Sequence, residues 1–354
     1  MNWRDNLIDI EPYVAGEQPE KKDFIKLNAN ENPYPPSPEV LKAIGSFDGA
    51  KLCKYPDASC REIAAVIAQY HGIERSQVFV GNGTDDVLSL CLRAFFNSDK
   101  PILFSDITYS FYTVWCDILR IPYKQVSVDE DFNINASDYS QPNGGVIIAN
   151  PNAPTSIGRG REFIREILDN NPDSVVIVDE AYVDFAEDDI TAVPLLSEYD
   201  NLVVTRTFSK SRSMAGMRLG YAMGSRDAIA AVYATKDSMN SYPVDMIAQA
   251  AGIASVKDEK YFRDTLAKVI ATRRRLTQKM RAMGFEVADS STNFIFAKHS
   301  KFSAKEIYDY LKSNDIYVRW FNKPHIDNYL RITIGTDKEI DALISALSDY
   351  IKSN

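Results

Sequence analysis

The sequence predicts an α/β protein: a large domain whose mostly parallel sheet is sandwiched by helices, then a smaller α+β C-terminal domain. Two observations carry this reading. Short apolar runs at 78–80, 101–104, 145–148, 175–178, 202–204 and 219–222 are separated mostly by stretches of helical periodicity, the pattern of strands covered on both faces by helices. After about residue 240 the texture changes to one long helical stripe followed by alternating strands and helices, which suits a second layer system rather than more of the same sheet.

Residues 1–38 read as an N-terminal extended arm. Six prolines between 11 and 38 fix φ and disfavour helix, so this stretch is expected to lie across a surface rather than to pack as an element. The large domain is expected over 39–245. In it, Val78-Phe79-Val80 leads into Gly81-Asn82-Gly83-Thr84-Asp85-Asp86, after which Val87, Leu88, Cys91 and Leu92 recur at helical spacing. A strand, a glycine turn and a helix start together make an anion site, because unpaired amides and the helix dipole point at the ligand. A helix is expected around 163–168. The small domain is expected over 246–354. Phe262, Leu266, Val269, Ile270, Leu276, Met280 and Met283 form its helical stripe, ended by Gly284. Arg273-Arg274-Arg275 inside that helix read as a solvated face. Strands at 285–287 and 293–297, a helix from Ala304 and strands at 316–319 and 329–334 complete it.

Composition narrows the function classes. The chain has 354 residues, 45% hydrophobic and 25% charged, with a net charge of −9, so nonspecific attraction to nucleic acid or anionic membrane is not expected. It shows no apolar run near membrane-spanning length and no signal-peptide pattern at its start. The cysteines Cys53, Cys60, Cys91 and Cys116 have neither CxxC nor zinc-like spacing, and the three histidines, His71, His299 and His325, are far apart. A metal site or a Ser/His/Asp triad is therefore not expected, and a reducing cytoplasm is the simplest setting.

The residues with a chemical pattern lie near Lys210. It follows Phe208-Ser209 at the mouth of an apolar strand, and Arg218 comes eight residues later. Such a lysine can capture an aldehyde covalently, while the hydroxyl and the guanidinium hold an anion beside it. Upstream, Asp179 ends the apolar run at 175–178 and opens Asp179-Glu180-Ala181-Tyr182. Acid, tyrosine, lysine and arginine in this order are the inventory that pyridoxal 5'-phosphate requires.

Across nearly the whole chain the sequence resembles the fold-type I pyridoxal-phosphate aminotransferases and, within them, the histidinol-phosphate subgroup. The residues that carry the likeness are Leu27-Asn28-Ala29-Asn30-Glu31-Asn32-Pro33, Tyr55-Pro56-Asp57, Gly81 to Asp86, Asn150-Pro151-Asn152-Ala153-Pro154-Thr155, Asp179 to Tyr182, Phe208-Ser209-Lys210 and Leu330-Arg331-Ile332-Thr333. One departure is Ser211-Arg212-Ser213-Met214, where the family often has a small or aromatic run.

The resemblance implies a role for each residue. Lys210 is the catalytic lysine. Asp179 bonds the cofactor's ring nitrogen, Asn152 and Tyr182 its phenolic oxygen, and Tyr109 stacks on its ring. The backbone amides of Gly83 and Thr84, with Ser209 and Arg218, capture the phosphate, Asp85 also lines the cofactor site, and Tyr55 reaches the phosphate of a neighbouring subunit, which requires a homodimer. Tyr13, Asn30, Arg319 and Arg331 contact substrate: histidinol phosphate as amino donor, and glutamate or 2-oxoglutarate in the other half-reaction. Pro151 and Pro154 suggest a cis bond. Plainer readings stand beside these: a turn residue for Asn152 and Tyr55, a core aromatic for Tyr109, a strand-edge charge for Arg319. Two relatives of the same fold stay open as alternatives, a threonine-phosphate decarboxylase and an aromatic amino-acid aminotransferase. A cofactor-binding regulator would need a DNA-binding helix-turn-helix, for which the sequence before Asn28 and after Thr336 leaves no room.

Overall fold

The structure, a computed structural model, describes residues 2–14, 16–20 and 23–354. The N-terminal segment contributes one short strand, β1 (Ile25–Lys26). The central sheet is built from β2 (Val78–Gly81), β3 (Ile102–Ser105), β4 (Tyr123–Val126), β5 (Gly145–Ala149), β6 (Val176–Asp179), β7 (Leu202–Thr207) and β8 (Gly220–Gly224). Their spatial order is β2-β8-β7-β6-β5-β3-β4. Helices α1 (Pro38–Gly45), α2 (Arg61–His71), α3 (Thr84–Phe95), α4 (Phe111–Leu119), α5 (Arg161–Asp169), α6 (Arg226–Met239) and α7 (Met246–Lys257) flank it.

Alternation along the strands decides which layer each side chain enters. Val78, Val80, Val146, Ile148, Val176 and Val178 join the core that includes Ile63 and Ile67 of α2. Phe79, Ile147, Ile177 and Val203 point to the other face, where Leu88 and Leu92 of α3 and Val232 of α6 meet them.

The sheet departs from a wholly parallel arrangement at one strand. β8 runs antiparallel to both β7 and β2. Between β7 and β8 lies a loop with one 3-10 turn at Ala215–Met217 and no crossover helix, and only a crossover returns a chain parallel. That loop carries Lys210.

The small domain begins with α8 (Glu259–Ala282), followed by β9 (Phe285–Val287), β10 (Phe294–His299), α9 (Ala304–Ser313), β11 (Ile316–Tyr317), β12 (Arg319–Trp320), β13 (Leu330–Thr333) and α10 (Asp337–Ser353). Its antiparallel sheet has the order β12-β13-β10-β9, while β11 pairs parallel with β1. The sequence divides the two domains at 245/246, yet α7 packs on the large-domain core through Ala248, Ala251 and Val256. A Cβ on Gly252 would meet Ile63 Cδ1 at 2.3 Å and Leu219 Cδ2 at 2.5 Å, so that close approach needs glycine. Asp258 then caps α8, its side chain accepting from the Tyr261 amide.

Two expectations need correction. Arg273 is not on a solvated face: it is 3% exposed, and its guanidinium donates to the carbonyls of Phe185 at 2.8 Å and Thr292 at 2.6 Å. It shares the inward face of α8 with Val269 and Leu276, three and four residues away. Arg274 is exposed, as read, and Arg275 is half-buried and paired with Asp337 and Asp341. The arm is also more than a surface strap, because Leu27, Asn28 and Asn30 are buried between the two domains. No helix among the described residues is long and apolar enough to cross a membrane.

Candidate active site

Four segments converge at the C-terminal edge of the parallel strands, the usual ligand edge of such a sheet. The first is the turn after β2. Gly83 sits at φ +85° and, lacking a side chain, leaves the first amides of α3 without a side-chain cap. In contrast, α1, α6, α7, α8, α9 and α10 are each capped by a side-chain oxygen. A Cβ on Gly83 would lie 2.7 Å from the Arg218 guanidinium, and one on Gly220 would lie 2.6 Å from the Thr84 amide nitrogen. The two glycines thus let the Arg218 guanidinium and β8 pack directly against the turn, which sets a cation beside the first amides of α3. Asp85 holds the rim: its carboxylate accepts from Tyr109 Oη at 3.1 Å and from Arg218 at 3.3 Å. Ser209 is buried alongside, its amide donating to Thr207 Oγ1 at 3.1 Å.

Asp179, the last residue of β6, is 5% exposed. Its carboxylate accepts from Tyr112 Oη at 2.8 Å, from Thr205 Oγ1 at 3.3 Å and from the Ala181 amide at 3.3 Å. Burial pushes its pKa up to about 6 despite those three donors. Asn152 follows the cis peptide Asn150–Pro151 and precedes the cis peptide Ala153–Pro154. Both of its amide protons are engaged, by Ile107 O at 2.8 Å and Thr155 Oγ1 at 3.0 Å, while Thr108 donates to its Oδ1 at 2.7 Å.

Lys210 projects from the β7–β8 loop, its Nζ 3.4 Å from the Ala29 carbonyl and 5.8 Å from the Tyr182 ring centroid. The N-terminal segment reaches each neighbour in turn. Asn30 donates to Tyr182 Oη at 2.9 Å, and Asn32 donates to the Lys210 carbonyl at 3.0 Å. Asn30, expected to contact substrate, is 2% exposed, with its amide donating to Thr333 and its carbonyl accepting from Asn293.

The small domain supplies two guanidiniums. Arg331 on β13 donates to the Asn28 carbonyl at 2.8 Å, while its buried Nε has no hydrogen-bond partner. Burial lowers its pKa, the mark of a cation short of an anion. Arg319 on β12 donates to the Val14 carbonyl at 3.0 Å. Tyr13 packs on Phe111 at 4.7 Å and edge-on to Tyr109 at 6.1 Å, bridging the arm to the cup.

The structure thus gathers Gly83, Thr84, Asp85, Tyr109, Asn152, Asp179, Tyr182, Ser209, Lys210, Arg218, Asn30, Tyr13, Arg319 and Arg331 around one edge. Tyr55 stands apart, 78% exposed and stacked on Tyr242 at 4.6 Å. Sequence reasoning missed Tyr112, Thr205, Thr108 and Asn32. Tyr112 had no clear signal: it lies in the first turn of α4, while Tyr109 precedes the helix. Thr205 had none, since it meets Asp179 only through the β6–β7 register.

Residues 22–347 match the family described as aminotransferase class I and II. The chain is 48% identical over 353 residues to a histidinol-phosphate aminotransferase of Lactococcus lactis subsp. cremoris (strain SK11), covering 100% of this chain and 99% of that protein. It is 47% identical over 351 residues to histidinol-phosphate aminotransferase 1 of Hydrogenovibrio crunogenus, covering 99% and 98%. A crystal structure of histidinol-phosphate aminotransferase from Sinorhizobium meliloti in complex with pyridoxal-5'-phosphate superposes with a TM-score of 0.83 at 25% identity, over 93% of this chain and 91% of that one. The chain belongs to the aminotransferase class I and II family. It is a pyridoxal-phosphate-dependent aminotransferase. The site fits that cofactor: the uncapped first amides of α3 with the Arg218 guanidinium packed against them suit the phosphate, and the buried Asp179 carboxylate suits a protonated ring nitrogen.

Proposed function

We propose that this chain transfers the amino group of L-histidinol phosphate to 2-oxoglutarate, giving imidazole acetol phosphate and L-glutamate, in histidine biosynthesis. The observation that carries the substrate is the 48% identity across the whole chain to a relative of that name. When bound, pyridoxal phosphate supplies an aldehyde for amine capture and a ring that draws electrons from the amine-bearing carbon. Asp179 accepts the proton-bearing ring nitrogen, and Tyr112 and Thr205 orient its carboxylate. Tyr182 already accepts from Asn30, so its own hydroxyl proton is free to donate to the ring oxygen. Asn152 would join Tyr182 at the same ring oxygen. The backbone amides of Gly83 and Thr84, with Ser209 and Arg218, would hold the phosphate, Asp85 would hold Arg218 and Tyr109 beside it, and Tyr109 would cover the ring.

Lys210 Nζ takes up the proton that leaves the amine-bearing carbon. Arg331 and Arg319 hold the substrate phosphate and, in the other half-reaction, the glutamate carboxylates, with Tyr13 closing over them. A planar guanidinium fork pairs with either anion, which lets one pocket serve both substrates. The same reading divides the chain into an arm (1–38), a cofactor domain (39–245) and a small domain (246–354). It also makes the protein a cytoplasmic homodimer in which Tyr55 completes the partner's phosphate cup. The exposure of Tyr55, Leu52, Met239 and Tyr242 supports that contact.

The test is single-turnover spectroscopy of purified holoenzyme with each amine separately. Histidinol phosphate and glutamate should both convert the visible cofactor band, borohydride should fix the cofactor on Lys210, and Lys210→Ala should bind cofactor without turnover. Substantial turnover by Lys210→Ala would overturn the lysine's role. Fast conversion by phenylalanine without conversion by histidinol phosphate would favour an aromatic aminotransferase. Carbon dioxide release from threonine phosphate would favour the decarboxylase.

A further inference from the structure

The Ser211-Arg212-Ser213-Met214 stretch, where the sequence departs from its family, is built into a buried polar chain that ends beside Lys210. Arg206 on β7 donates through Nε to Glu180 at 2.9 Å, through one terminal nitrogen to Asp184 at 3.1 Å and through the other to Thr191 at 2.8 Å. Asp184, just after Tyr182, in turn accepts from Ser211 Oγ at 2.6 Å. On the opposite side Asn32 donates to the carbonyls of Lys210 and Ser211 at 3.0 and 3.3 Å. The residue directly after the catalytic lysine is therefore held at both its side chain and its backbone.

We propose that Asp184 and Ser211 are positioning residues for Lys210, with Arg206 as their buried counter-charge. A lysine on a loop without a crossover helix has four rotatable side-chain bonds and a backbone free to rock. Proton transfer needs its nitrogen fixed to within a few tenths of an ångström. Clamping residue 211 removes the backbone part of that freedom. Arg206 is 7% exposed, and the charges of Glu180 and Asp184 outweigh burial and keep its guanidinium protonated. Burial opposes ionisation of Asp184, but Arg206, the Ser211 hydroxyl and Arg212 outweigh it and hold the carboxyl below its usual range.

The other titratable neighbours do not compete for the serine. Arg212 turns away, donating to the Ser255 carbonyl at 2.7 Å and lying over the Phe262 ring at 4.1 Å. His71 pairs with Tyr221 Oη at 3.0 Å, and burial together with Arg206 lowers its pKa to about 3, so it stays neutral. Ser211 is thus left to one acceptor, and that acceptor is held on the segment that also carries Tyr182.

The inference rests on the proposed role of Lys210 and is tested on holoenzyme. Ser211→Ala should lower kcat in both half-reactions about 10-fold, the usual scale for losing a hydrogen bond to a charged group, with KM and cofactor affinity within about two-fold. The pH midpoint of the visible cofactor band should move by about half a unit or more. Ser211→Thr, which keeps the hydroxyl, should restore kcat to within about two-fold of the parent. Adding Asp184→Asn to Ser211→Ala should cost little more than the worse single change, because both act on one link. An unchanged kcat and pH midpoint in Ser211→Ala would overturn the proposal, as would a loss confined to the melting temperature. If Ser211→Ala does not fold, Asp184→Asn is read by the same two measures. Failure here with an inactive Lys210→Ala sinks only the clamp, whereas an active Lys210→Ala sinks the functional reading beneath it.

Discussion

Asn30 donates its side-chain amide to the Tyr182 hydroxyl at 2.9 Å, while its Oδ1 accepts from Thr333 of the small domain at 3.1 Å. One residue of the N-terminal segment thus ties a large-domain tyrosine to β13, two strands of chemistry that nothing else in the local sequence brings together. The two carbonyls before it do related work: Asn28 O meets Arg331 and Ala29 O meets Lys210.

Asn30→Ala should therefore damage both function and stability. Losing the donor to Tyr182 and the acceptor of the buried Thr333 hydroxyl proton should cost about 1–2 kcal/mol of stability. The catalytic efficiency should fall roughly 5- to 10-fold, since Tyr182 loses the partner that orients its hydroxyl. Paired melting curves and steady-state kinetics check this; a wild-type melting temperature would remove the linking role.

Asp179 makes the apo-protein sensitive to pH. Its folded pKa of about 6 lies above the ordinary carboxylate value, so folding binds a proton there. The stabilising contribution is fully present below the unfolded pKa near 4 and is lost as pH rises through 6, by on the order of 3 kcal/mol. Asp179→Asn should remove that slope, so apo melting temperatures of the two proteins should diverge between about pH 4 and pH 7. Parallel curves would contradict the assignment. Cofactor binding, which gives the carboxylate a cationic partner, should stabilise the wild type more at pH 7 than it stabilises the asparagine variant.

Arg331→Lys keeps the charge and loses the fork. Both half-reactions should slow by roughly 10- to 100-fold, on the order of 1.4–2.8 kcal/mol, measured in single turnover with each substrate. Arg319→Ala should harm histidinol phosphate more than glutamate if that guanidinium serves the phosphate.

Tyr55→Phe tests the shared site. If the hydroxyl completes a partner's cup, cofactor affinity should weaken by about 1–2 kcal/mol, and the protein should sediment as a dimer. A fully active monomer would refute sharing.

Much of this protein is legible without coordinates. Apolar runs such as 145–148 and 175–178 identify buried strands, because a strand covered on both faces has no polar side to show. The Gly83–Thr84 turn suggests an anion cup, because a glycine at the cap position brings no side chain to occupy the first helix amides. Lys210, Asp179 and Arg218 stand out because their chemistry is unusual beside apolar strands. The direction of β8 was not legible, since antiparallel pairing followed from the missing crossover helix after Lys210. Arg273 looked like surface charge because composition counts arginines and cannot see two buried carbonyls waiting for one. The positions of Asn30, Asn32, Tyr112, Thr205 and Asp184 were decided by tertiary structure alone. Each works through a partner far away in the chain, and a hydrogen bond across a sheet register or between domains leaves no periodicity in the sequence to read.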